Sequence, residues 1–84
     1  MRGDAKSNSL DAAMAAVIRE RCRARGLTYE ALAEALGRDT STVTRYLLPD
    51  RAAGRRIPLD LLPGIARALG TTAHELIREA EEAL

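Results

Sequence analysis

The chain has 84 residues and a net charge of only +1, with 16 alanines, 12 leucines and 12 arginines against two aromatic residues. This length and these helix formers, without an alternating strand pattern, predict one small all-α domain. A single cysteine excludes an intrachain disulfide framework or thiolate metal site, and no apolar run approaches the ~20 residues of a membrane span. Residues 1–8 lack the apolar core of a secretion signal. We expect them to form a flexible arm before a single domain at 9–84.

Charge is distributed unevenly along the chain. Residues 19–56 hold nine arginines against five acids, a net +4, whereas residues 57–84 hold two arginines against five acids, a net −3. A DNA-facing surface with a rear interface would produce this pattern, because phosphates attract the first segment and repel the second. A solvated arginine-rich surface would also produce it, so charge alone leaves both interpretations open.

Apolar periodicity predicts five helices, the first at about residues 10–25. The residues that it turns toward the core are Met14, Val17, Ile18 and Cys22, and its arginines are expected to be mostly exposed. Thr28 can cap the second helix, at about 28–36, which Gly37 ends in the left-handed conformation. The small Ala33 allows a close approach to the next helix.

The third helix is expected at about residues 40–48, with Asp39 as its cap. Val43, Tyr46 and Leu47 form its apolar stripe, and the side chains that point outward are Thr40, Ser41, Thr44 and Arg45.

After a loop, the fourth helix is expected from Leu59 or Asp60 to Leu69. With Asp60 as cap, Pro63 falls in the first turn, where its missing N–H costs nothing. Thr72 and Glu75 form a capping box for the fifth helix, which is expected at about 73–84.

Three motifs in this order resemble one family. GLTYEALAEALG, STVTR and GIARALG match the pattern of the lambda-repressor-like (XRE, Cro/CI) helix-turn-helix family over about 50 residues, Gly26 to Leu76. The resemblance implies a five-helix DNA-binding domain with a helix-turn-helix at about 28–48. Its third helix would enter the major groove.

Matched residue by residue, the resemblance assigns roles to the outward side chains. The expected base contacts are Thr40, Ser41, Thr44 and Arg45, and Tyr29 is expected near a phosphate. Apart from this match, the further expected DNA backbone contacts are Arg38 and the loop residues Arg51, Arg55 and Arg56. Arg45 is the first candidate, because its planar fork can donate two hydrogen bonds to guanine. The alternatives are a salt bridge from Arg45 to Asp39 or Glu30, and local backbone hydrogen bonds for the hydroxyls.

Two features depart from the family pattern. Tyr29 stands where many relatives have glutamine, which puts that phosphate contact in doubt. The connection from Tyr46 to Leu59 is several residues longer than usual, and its arginines either follow the phosphate backbone or belong to a disordered insertion.

The last helix permits self-association. Ala80 and Leu84 lie on one face and beyond the expected compact unit, and Leu47 and Leu48 form a second candidate apolar contact. The resemblance implies a homodimer on a palindromic operator, with recognition helices about one DNA turn, ~34 Å, apart.

No cofactor, metal site or catalytic cluster is expected, because Cys22 and His74 lack suitable partners in the pattern. We expect a bacterial or phage transcriptional regulator of the cytoplasm or nucleoid that binds double-stranded operator DNA, as a Cro-like or controller-like dimeric repressor. The chain ends soon after the fifth helix, so we expect no sensing domain and regulation by concentration. The alternative is a protein-interaction module, such as an antitoxin or a partner of a sigma factor or RNA polymerase, with weak DNA contact.

Overall fold

The chain folds as a set of short helices, which the computed structural model describes over residues 10–48 and 56–84. The helices are α1 (Leu10–Arg25), α2 (Tyr29–Leu36), α3 (Thr40–Leu47), α4 (Leu62–Ala68) and α5 (Ala73–Glu82), with a 3-10 helix (Leu59–Leu61) before α4. These ranges contain no strand, so the predicted all-α fold with five helices is confirmed. No helix within them is long and apolar enough to cross a bilayer.

The longest helix, α1, forms one wall of the core. Met14, Ile18 and Cys22 recur at every fourth position and are all buried, as the sequence predicts. The half-buried Val17 packs against the same cluster. The helix therefore presents one continuous apolar stripe to α3 and α5, the helices against which it packs.

The helix α2 is capped locally at both of its ends, and a tight turn leads from it to α3. Thr28 Oγ1 accepts a hydrogen bond of 3.0 Å from the Ala31 N–H and so begins α2. Gly37 ends that helix with φ of +69°, and the Arg38 N–H then donates to the Ala33 carbonyl at 3.0 Å. The predicted cap and glycine turn are both confirmed.

Two predicted caps differ in the structure. Asp39 occupies the N-cap position of α3, but its side chain makes no hydrogen bond to the backbone of the helix. Asp60 lies inside the 3-10 helix that follows Pro58, so Leu61 rather than Asp60 precedes α4. The prediction for Asp60 was wrong because an apolar pair, Leu61 and Leu62, is buried at this point and determines where the helix begins. Pro63 lies in the first turn of α4, as predicted.

Thr72 begins α5 as predicted, and its Oγ1 accepts from the Glu75 N–H at 3.1 Å. The Glu75 carboxylate is hydrogen-bonded to Arg78 at 2.8 Å instead of closing the predicted capping box.

The five helices meet around a single cluster of buried side chains. Its largest fully buried members are Ile18, Cys22, Leu32, Val43, Leu47, Leu69 and Leu76. α2 packs against both α3 and α4. The approach to α4 is close, because a Cβ added at Gly64 would lie 2.9 Å from Leu36 Cδ2. Ala33 is 1% exposed, which agrees with the small residue predicted there.

Two residues predicted to contact a second copy are instead part of this core. Ala80 is 0% exposed and Leu47 is 1% exposed, so the expectation was wrong for both. Ala80 lies one turn after the buried Leu76 on the same face of α5, and that face packs against the rest of the chain. Leu48 is half-buried and Leu84 is exposed. Their part in a dimer stays a prediction.

Gly37 offers a test of the turn. Gly37→Ala should lower the free energy of unfolding by about 1–2 kcal/mol, the cost of a left-handed backbone for an L-residue. No described atom lies within 4 Å of the added Cβ, so strain alone causes the loss. Gly37→Asn should lose less, because asparagine tolerates this conformation. Urea unfolding measures both, and equal stability of the alanine variant and the parent would contradict the assignment.

The ion pair between Arg21 and Glu79, which joins α1 to α5, should make stability depend on pH. Hydrogen bonds from Arg21 lower the pKa of the Glu79 carboxyl below its ordinary value. Because the folded pKa is lowered, the stabilisation is complete above the unfolded pKa of about 4.3 and is lost as pH falls through the folded pKa.

The stability difference between the parent and Glu79→Gln should therefore be constant above about pH 5 and shrink toward pH 3. Thermal unfolding over this range measures it. Glu81→Gln is the control, since Glu81 makes no ion pair with any described residue. A difference that grows on acidification would show that the pair does not hold the two helices.

Candidate nucleic-acid interface

The helix α3 has one buried and one solvent-facing side. Val43 and Leu47 are 2% and 1% exposed, whereas Thr40, Ser41 and Arg45 are exposed. The four-residue spacing of the two buried side chains fixes which way the helix is turned. The burial of Val43 and Leu47 therefore determines that the opposite, polar side of the helix faces solvent.

The arginines divide into those with partners inside the chain and those without. Arg38, in the turn, and Arg45, in α3, have no acidic partner among the described residues, and the same is true of Arg25 and Arg67. The engaged arginines are Arg19 with the Leu47 carbonyl, Arg21 with Glu79, Arg23 with Glu20, Arg56 with Asp11, and Arg78 with Glu75 and Glu82. The alternative salt bridge from Arg45 to Asp39 or Glu30 does not form. The guanidinium groups of Arg38 and Arg45 are therefore available to an external anion.

The hydroxyl groups of α3 are partly used within the helix. Thr44 Oγ1 donates to the Thr40 carbonyl at 2.9 Å, which is the local bonding considered as the alternative. Ser41 and Thr42 donate to Asp39 Oδ2 over 3.4 and 3.5 Å, distances at the weak limit of a hydrogen bond. The Thr44 hydroxyl is thus committed, while that of Ser41 can exchange its partner for another acceptor.

The residues expected at the DNA backbone lie at separate places in the chain. Tyr29 is the first residue of α2, is half-buried against the core, and lines an open depression between α1 and α2 together with Arg19, Arg23 and Thr28. Arg56 is exposed, and its Nε lies 3.3 Å from Asp11 Oδ2. Arg51 and Arg55 lie outside the described residues. The structure therefore brings Tyr29 and Arg38 to the two ends of α2, and places Arg56 beside the start of α1.

Comparison with known proteins identifies this arrangement. The model of a helix-turn-helix domain matches residues 13–79 of the chain. The chain belongs to the helix-turn-helix family. Among solved structures it is similar to the crystal structure of the clp gene regulator ClgR from Corynebacterium glutamicum, with a TM-score of 0.77, 23% identity, and coverage of 89% of this chain and 76% of that chain. At this identity the likeness establishes the fold. No curated protein sequence matches the chain.

Family membership supports a role for the domain in binding DNA. The match supports a DNA-binding transcription regulator. The segment expected as the helix-turn-helix, at about 28–48, contains α2 and α3, and the role of α3 in the major groove stays a prediction. The resemblance predicted from GLTYEALAEALG, STVTR and GIARALG is confirmed.

Sequence reasoning missed one contact of α3. Arg19 was expected to be mostly exposed, but its Nη1 donates to the Leu47 carbonyl at 2.7 Å in a partly buried setting. A signal for it existed in the sequence. α3 is followed by Leu48 and Pro49, without the glycine that ends α1 and α2, so its last carbonyls need another donor.

The helix-turn-helix domain shows no metal-binding arrangement in its described part, where no three His, Cys, Asp or Glu side chains cluster. Cys22 is 2% exposed, and burial raises the pKa of its thiol. Its side chain is neutral and packs in the core, as the apolar stripe of α1 predicts.

Proposed function

We propose that the protein is a sequence-specific transcriptional regulator that acts as a dimeric repressor in a bacterial cytoplasm, encoded by a bacterium or a phage. The observation that carries the proposal is the exposed side of α3, the recognition helix of this proposal. Val43 and Leu47 hold the helix in the core, and Arg45 faces solvent without an acidic partner among the described residues. A rigid helix with a free guanidinium is suited to the major groove, where guanine offers two acceptors.

Each outward residue has a role in this proposal. Arg45 reads guanine through O6 and N7, and Ser41 and the Thr40 hydroxyl donate to bases or phosphates nearby. The γ-methyl of Thr44 contacts a thymine methyl, since its hydroxyl is already bound to Thr40. Arg38 and Tyr29 hold the phosphates at the two ends of α2, while Arg51, Arg55 and Arg56 add charge near the backbone.

The dimeric repressor is the finer part of the proposal. Two copies bound to a palindromic operator would place their recognition helices about 34 Å apart, one turn of DNA. Leu84, 57% exposed near the end of α5, and the half-buried Leu48 are the remaining predicted apolar contacts between copies. Such a dimer would compete with RNA polymerase for promoter DNA, as Cro-like and controller-like regulators do.

Selection from random duplexes tests the proposal. The parent should enrich a palindromic or repeated motif, and its half-site spacing should report the dimer. Arg45→Ala should lose preference at one base position, by about 1–3 kcal/mol. Arg38→Ala, the matched control in the turn, should weaken binding to all duplexes and reduce the slope of log affinity against log salt by about one contact.

Equal losses in the two variants, with base preference unchanged, would contradict the base-reading role of Arg45. Binding by the parent without any enriched motif would favour the alternative, a protein-interaction module of the antitoxin or polymerase-binding type.

Thr44 allows a separate prediction about readout. Thr44→Val keeps the γ-methyl and removes a hydroxyl that is used inside the helix, so preference for the selected site should be retained. Thr44→Ser keeps the hydroxyl and removes the methyl, so preference at a thymine position should fall about fourfold, the value of one buried methyl group. Competition binding against the selected duplex measures both, and the reverse order would assign readout to the hydroxyl.

A further inference from the structure

The recognition helix ends differently from the two helices before it. α1 and α2 each end at a glycine with positive φ, and the next N–H bonds back: Leu27 to the Cys22 carbonyl at 2.9 Å, and Arg38 to the Ala33 carbonyl at 3.0 Å. α3 ends at Leu48 with φ of −113°, and Leu48 donates only to Thr44. No described backbone N–H donates to the Leu47 carbonyl, and Pro49 has none to offer.

A side chain from another helix satisfies this carbonyl. Arg19 Nη1 reaches across from α1 and donates to the Leu47 oxygen at 2.7 Å. The guanidinium charge also lies at the negative end of the helix dipole, which strengthens the contact. α1 is thereby joined to the last residue of the recognition helix.

We propose that Arg19 is a positioning residue for DNA readout, holding the end of the recognition helix at the tilt from which Arg45 reads a base. This inference rests on the proposed function. It assigns Arg19 no contact with DNA, because its guanidinium is already bound to the protein and partly buried.

Helix geometry explains why the end of α3 controls Arg45. Arg45 precedes Leu47 by two residues, about 3 Å along the axis and about 200° around it, so the two side chains point to nearly opposite sides. Because only about 3 Å of helix separates Arg45 from the Leu47 carbonyl that Arg19 binds, a movement of that end of the helix reaches Arg45 with little reduction. Bidentate readout tolerates misplacement of only about 0.5 Å, so a loosened end should weaken discrimination before it unfolds the domain.

The test uses three variants of the full chain. Arg19→Met keeps the aliphatic stem and removes the donor, and Arg19→Lys restores a single donor. Arg21→Met is the matched control, since Arg21 also lies on α1 but bonds to Glu79 of α5. Circular dichroism defines a temperature at which all variants are fully folded.

Amide hydrogen exchange is the first readout and needs no DNA. In Arg19→Met, the amides of residues 46–48 should exchange at least about tenfold faster than in the parent, because a charge-assisted hydrogen bond is lost. The amides of α2 should not change. In Arg21→Met the faster exchange should be confined to α1 and α5, and Arg19→Lys should restore part of the protection of α3.

Binding to the duplex selected by the parent is the second readout. Arg19→Met should lose about tenfold in preference for that duplex over a scrambled one, which corresponds to about 1.4 kcal/mol. Its salt dependence should match that of the parent, because no phosphate contact is removed.

Two results would overturn the inference. If Arg19→Met and Arg21→Met change exchange and preference alike, Arg19 contributes only to general stability. If preference is kept and the salt slope falls by one contact, Arg19 binds phosphate instead. Should the parent itself select no motif, the proposed function fails, and the exchange comparison alone still decides whether Arg19 holds the recognition helix.

Discussion

The described fold depends on how an eight-residue helix, α3, is held in place. An isolated helix of this length is unstable in water, because nucleation costs more than so few hydrogen bonds return. Val43 and Leu47 compensate by burying almost all of their surface, each contributing about 1.5–3 kcal/mol. The glycine turn fixes where α3 begins, and Arg19 of α1 holds its last carbonyl. The outward side of the helix therefore carries polar residues that lie outside the core, and among them Arg45 has no acidic partner within the described residues.

The arginines of the chain differ in whether an acidic side chain pairs with them. Arg21 and Arg78 are bound by glutamates of α5, which neutralises much of the acidic end of the chain. Arg38 and Arg45 have no such acid within the described residues, so their guanidinium groups are available to phosphate even though residues 28–48, with Glu30, Glu34 and Asp39, carry no net positive charge. Attraction of this segment to phosphate therefore depends on where these two guanidinium groups lie and not on a net positive charge.

Local signals predicted most of this fold. The bounds of α1, the cap at Thr28 and the turn at Gly37 depend on residues within one or two helical turns, and the sequence contains all of them. The predictions that failed required knowledge of distant neighbours. Ala80 was placed in a dimer contact because nothing local shows that its face of α5 meets the core, and Arg19 was expected to be exposed because its acceptor lies 28 residues away. The site was predictable as an outward face, whereas the pairing of each arginine was not.

The most direct test of the account is a nuclear magnetic resonance titration of the uniformly labelled protein with an operator duplex obtained by selection. If α3 enters the major groove, the largest amide shifts should fall on residues 38–45 and at the start of α2, with α5 changed least. Shifts concentrated on α5, with α3 unperturbed, would contradict the central claim that the recognition helix forms the binding surface.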